Sequence, residues 1–140
     1  MIWIIPKTNW NNSEWFEISD WNRIKGNIEY IQDLISELYP NYSVLSVPII
    51  PIINRQTLFI PSLHNAIEDN FELIGMHVPI SFISVNTRKF FDNNNTWDFN
   101  DLNRIESITF QYHNAMISQR ANIPTLEFEL GGDFFGGFYQ

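Results

Sequence analysis

The sequence predicts a mainly α fold: a small three-helix core with extended apolar arms, and short β segments that give the C-terminus an α+β ending. Three observations predict it. Apolar residues recur at helical spacing in stretches that start near Ser19, Ser62 and Asn100. The segments between them are β-branched and contain prolines, which cannot continue a helix. The pattern Asp-x-Asn-Arg-Ile is written twice, at 20–24 and at 101–105, as though one helix start were used again.

Residues 1–15 read as an extended arm. Ser19 is a good N-cap, and Asp20 in the first turn suits the positive end of the helix dipole. Trp21, Ile24, Ile28, Ile31, Ile35 and Leu38 then follow at steps of three and four, until Pro40 stops the helix. Gly26 lies inside it at a cost of about 1 kcal/mol relative to Ala, which points to something packed closely there. In 41–61, Pro48 and Pro51 fit an extended connector or an edge strand, and its apolar character places it against the rest of the domain. A second helix is expected after Pro61, with Ser62 as cap, Leu63, Ile67, Phe71 and Ile74 on one face, and Gly75 as terminator. The stretch 76–95 reads as a short hairpin arm ending in an Asn-rich loop. The third helix is expected from Asn100, with Leu102, Ile105, Ile108, Tyr112 and Met116 inward, fading near Arg120. Leu126, Phe128 and Leu130 alternate with Glu127 and Glu129, a strand pattern. A tail follows in which Gly pairs bracket aromatic residues, and such a tail is too apolar to leave in water. The organisation is therefore a helical module with its arm over 1–120, and a strand with docking tail over 121–140. Phe128, Phe134, Phe135, Phe138 and Tyr139 are the expected docking residues.

Composition narrows the function classes. A chain of 140 residues and 16.6 kDa makes one domain, and 44% hydrophobic content is too high for disorder. A net charge of −8 argues against nucleic acid and against anionic membrane surfaces. There is no cysteine, so disulfide and thiolate chemistry are excluded. No window approaches the ~18 apolar residues of a membrane span. The three histidines, His64, His77 and His113, form no zinc-protease pattern. Glu68, Asp69 and Glu72 read as the solvated side of the second helix rather than a hydrolytic pair. No catalytic, metal or cofactor site is expected.

The repeat asks for a reason. When the helix starts are aligned by cap, Asn22, Asn65 and Asn103 stand three residues on, where a capping box places Glu or Gln as its return partner; Asn is shorter, which leaves bonding to a neighbouring segment as the alternative. Two residues later stand Ile24, Ile67 and Ile105, so the second start is a degenerate copy of the other two. Arg23 and Arg104 each face the unfavourable end of a helix dipole. Finding this twice implies a specific acceptor, a carboxylate or carbonyl on another module or subunit. Asp20, Asn22, Arg23, Asp101, Asn103 and Arg104 are therefore the expected module or subunit contacts.

These segments together resemble a family of small structural proteins from tailed phages and prophages of Gram-positive bacteria. The family opens with a P-K-T-D-W-like arm, continues with a D-Y-N-R-I-x-x-N-I helix and a weaker E-x-N helix, then a D-L-N-R-I-E helix and an L-x-F-x-L-G ending. Pro6, Lys7, Thr8 and Trp10 match in the arm, and Asp20, Asn22, Arg23, Ile24, Asn27 and Ile28 in the first helix. Asn65, Glu68 and Asn70 match in the second, 101–106 in the third, and Leu126, Phe128, Leu130 and Gly131 at the end. Asn9 departs from the family's usual Asp, and 41–61 has no counterpart. The resemblance implies a non-enzymatic virion component, made in the bacterial host cytoplasm and placed in the tail or baseplate. It would act as an adaptor or assembly protein. Its partners would be other tail, baseplate or fibre subunits and copies of itself, with no nucleic acid or membrane. Two alternatives stand beside it: a head- or neck-associated structural protein, and a receptor-binding module in which Trp10, Trp15 and Trp97 stack on cell-wall saccharide.

Overall fold

A computed structural model describes residues 2–39, 49, 52, 54–78, 80–89 and 97–131, with backbone only for 122–131. Among the described residues three helices form the domain, α1 (Ile18–Leu38), α2 (Pro61–His77) and α3 (Phe99–Gly131), with a 3-10 turn at Arg55–Phe59 before α2. The mainly α expectation holds, and the described residues contain no strand.

Each predicted stripe becomes the inner face of its helix. Trp21, Ile24, Ile28, Ile31 and Ile35 of α1 are buried against Ile67, Phe71 and Ile74 of α2 and Leu102, Ile105, Ile108, Tyr112 and Met116 of α3 in one core. Leu58 of the 3-10 turn, Ile52 and Ile83 close it from the connections. Full burial of an isoleucine or phenylalanine is worth roughly 1.5–3 kcal/mol, so this cluster is the main source of stability. No described helix is long and apolar enough to cross a membrane.

The helix starts fall two residues earlier than the sequence suggested. The caps are Glu17 and Ile60, and the residue before α3 is Asp98, where Ser19, Ser62 and Asn100 were expected. The reason is the acidic residue of the repeat. Asp20 accepts the Glu17 N–H at 2.9 Å, and Asp101 accepts the Asp98 N–H at 3.1 Å while the Asp98 carboxylate accepts the Asp101 N–H at 2.9 Å. Aspartate at the fourth position of the α1 and α3 starts thus closes the capping box, one of the two roles open to Asn22 and Asn103, and Asn103 takes the other by bonding the neighbouring segment at Trp10. In α2 no side chain caps, and Pro61 takes the first helical position, where its missing N–H costs nothing.

The two glycines exchange their expected roles. Gly75, read as a terminator, lies inside α2, and a Cβ there would meet Val85 at 3.1 Å. Gly26, read as a close-packing position, has nothing within 4 Å of where its Cβ would stand. Gly26→Ala is therefore expected to stabilise the protein by about 0.5–1 kcal/mol through helix propensity alone. A urea titration that gave an unchanged or lower midpoint would refute the open space.

The hairpin expected in 76–95 does not form in its described part. Residues 80–89 run without partner-strand bonds after one turn, in which the Ile83 N–H donates to the Ile80 carbonyl at 2.9 Å. Leu126–Leu130, predicted as a strand, continue the helical backbone of α3. Extending a formed helix adds one hydrogen bond per residue, whereas an isolated strand has no edge to pair with. The prolines at 40, 48 and 51, the loop at 93–95 and the tail at 132–140 lie outside the described residues.

Candidate functional site

The polar residues of the repeat assemble two matched clasps. In the first, Arg23 of α1 reaches Glu106 of α3. Its Nε meets one carboxylate oxygen and a terminal nitrogen the other, both at 2.8 Å, and its remaining nitrogen holds Asp20 at 2.9 Å. In the second, Arg104 of α3 reaches Glu68 of α2 at 2.9 and 2.6 Å and holds Asp101 at 3.1 Å. Each is a two-point guanidinium–carboxylate pair, the strong form of the interaction.

The donor sets around the two glutamates are the same. Glu106 also accepts the Trp10 indole N–H at 2.6 Å and the Lys7 backbone N–H at 2.9 Å. Glu68 also accepts the Trp97 indole N–H at 3.1 Å and the Arg88 backbone N–H at 3.3 Å. Each carboxylate thus takes two guanidinium donors, one indole and one backbone amide. With side chains 2% and 0% exposed, these carboxylates need all four. Burial works against the charge on Arg23 and Arg104, and the neighbouring carboxylates outweigh it, so both guanidinium groups are held above their usual range. A carboxylate with every lone-pair direction occupied has none left for a substrate proton, so the clasps join elements.

The clasps run in one direction. Residues 23 and 104 give arginine, and α2 has Ala66 in that register. Residues 106 and 68 accept, and α1 has Lys25 there. The relay therefore passes from α1 to α3 to α2 and stops. Position α2 only receives, which is why its start lacks the acidic and basic residues of the other two.

Polar residues of the same two helices anchor the arm. The Asn103 amide pairs with the Trp10 peptide, accepting its N–H at 2.7 Å and donating to its carbonyl at 3.0 Å. Asn27 does the same to Ile4, at 3.0 and 2.6 Å. With Lys7 held by Glu106, every third residue from 4 to 10 has its N–H fixed by a helix side chain.

Of the expected contact residues, Arg23, Asp101, Asn103 and Arg104 meet another element or the arm, whereas Asp20 bonds Glu17 and Arg23 of its own helix start. Asn22 is exposed. Glu68 is a correction, since it is buried and not on a solvated face. Trp10 and Trp97 are also corrected: they are buried, with their N–H groups committed to the glutamates, and only Trp15 of the three is exposed. Trp97 further stacks on His64, ring centres 4.0 Å apart. The residues that sequence reasoning missed are Glu106, Glu68 and Asn27. The two glutamates hold the same register after their helix starts, and that was the available signal. The Phe128 side chain, Phe134, Phe135, Phe138 and Tyr139 lie outside what is described. Among the described residues no group of three or more acidic or histidine side chains could hold a metal. Comparison with protein-family models, with characterised proteins and with solved structures finds no match.

Proposed function

We propose that the chain is a virion structural protein, an adaptor or assembly component of a phage tail or baseplate that joins neighbouring subunits by contact. The observation that carries this reading is the arm. It is fixed to α1 and α3 through Ile4, Lys7 and Trp10, yet it leaves Ile2, Ile4 and Ile5 exposed. An apolar edge already held in one conformation loses little entropy when a partner covers it, which favours binding. The sequence resemblance to phage structural proteins supports the same reading.

The test is immunogold electron microscopy of intact particles of the phage that encodes this chain. Gold at the distal tail is the expected result. Gold at the head or neck would replace the placement with the head-associated alternative, and bare particles would overturn the virion reading.

The saccharide alternative keeps one observation of its own. A cleft of about 310 Å³ brings Trp10, Trp15 and Trp97 together with Phe16 and Phe99. Only Trp15 offers an open ring there, with Arg55 5.9 Å from its centre, so a wall glycan would stack on that residue alone.

A further inference from the structure

A second groove, of about 520 Å³, opens between α2, the segment 80–87 and α3. Gly75, Met76, Ile80, Ile83, Val85 and Tyr112 line it. Met76 in its lining is 72% exposed, and Phe82, the chain neighbour of Ile83, is 70% exposed, two large apolar side chains left to water. The carboxylate at the rim, Glu72, is already engaged by Lys89 at 3.2 Å and by the Thr87 hydroxyl at 3.1 Å. The groove therefore sets apolar walls from Met76, Ile80, Ile83 and Val85 beside a polar edge of Glu72 and Thr87, in a size that suits aromatic side chains.

We propose that this groove receives the C-terminal tail, residues 132–140, of a second copy of the chain. The proposal rests on the assembly reading above and names the contact by which copies join. The tail offers Phe134, Phe135, Phe138 and Tyr139 without a single Lys or Arg, and its Gly pairs allow it to bend into a groove. Geometry selects a second copy over the tail's own chain. Gly131 ends α3 nineteen residues beyond Tyr112, which is roughly 28 Å along the helix axis. The nine residues that remain span at most about 30 Å when fully extended. Phe134 and Phe135 stand three and four residues past Gly131, a reach of at most about 14 Å, so doubling back within one chain cannot bring them to the groove. A tail from a neighbour has no such limit. The contact is head-to-tail, so repetition closes a ring wherever the rotation between copies permits.

The experiment is light scattering on the full chain over a concentration series, with Met76→Glu and Phe82→Glu as variants. Both positions are exposed, so circular dichroism should report an unchanged fold. The expected result is a mass that rises above 16.6 kDa with concentration, and self-association weakened about tenfold or more in each variant. A free peptide of residues 131–140 should compete with it. A chain that stays monomeric overturns the proposal. So does association that neither variant nor peptide alters, while the virion reading remains to be decided by particle labelling.

Discussion

Arg104→Met should remove about 3–5 kcal/mol of folding stability, because it strands the Glu68 carboxylate inside the protein. The asymmetry of exposure decides the size. The Arg104 side chain is 21% exposed and the Glu68 side chain 0%, so water can reach the guanidinium but not its partner. Without Arg104, Glu68 keeps only the Trp97 indole and the Arg88 amide. Domains of this size are stable by roughly 5–15 kcal/mol, so the loss is a large fraction of the whole. Replacing both partners by apolar residues should restore much of it, since the cost lies in the unpaired charge more than in the missing attraction. Urea unfolding of the wild type, both single variants and the double variant measures all of this as one cycle. Arg23→Met should behave the same way, because Glu106 is held by an equivalent set. A loss under about 1 kcal/mol would place Arg104 with exposed surface pairs and sink the clasp as a structural element.

How far the sequence reveals this depends on how local each feature is. The three helices were legible because their inner faces repeat at helical spacing, and every residue of the stripe from Leu102 to Met116 is buried as expected. That Arg23 and Arg104 needed acceptors was legible as well, since two cations at the wrong end of a dipole call for compensation. Which acceptors was not. Glu106 lies 83 residues from Arg23, and Glu68 36 residues from Arg104, and nothing local marks either pairing. The two tryptophans were misread for the same reason. An indole near a helix start looks like available surface until a distant glutamate is seen to take its N–H. The exchange between Gly26 and Gly75 has another origin. Both lie inside helices, and only the position of Val85 shows which one a neighbour approaches. The caps slipped by two residues because serine and asparagine were preferred over aspartate three positions into the helix, which the closed box at Asp98 and Asp101 reverses.

Acidification from pH 7 toward pH 4 should cost about 3 kcal/mol through His64 alone. The ring is buried between helices, with Nε2 2.6 Å from the Leu58 carbonyl and Nδ1 3.3 Å from the Trp97 N–H. A carbonyl can only accept and an amide can only donate, so the ring is neutral with its proton on Nε2. A second proton on Nδ1 would point at another donor. Burial pushes the imidazole from its usual 6.5 down to about 4, although the Leu58 carbonyl and the charge of Asp101 both pull the other way. Between those two values the unfolded chain binds a proton that the folded protein refuses, so stability falls as pH falls across that window and is unaffected by this group above it. The difference between the wild type and His64→Gln isolates this contribution. That difference should narrow steadily from pH 6.5 to pH 4, as the wild type loses its advantage. An NMR titration of the ring gives the independent check: His64 should remain unprotonated at pH 5. A midpoint near 6.5 would mean that Nδ1 reaches solvent, and the junction of the 3-10 turn, α2 and Trp97 would then be open rather than packed.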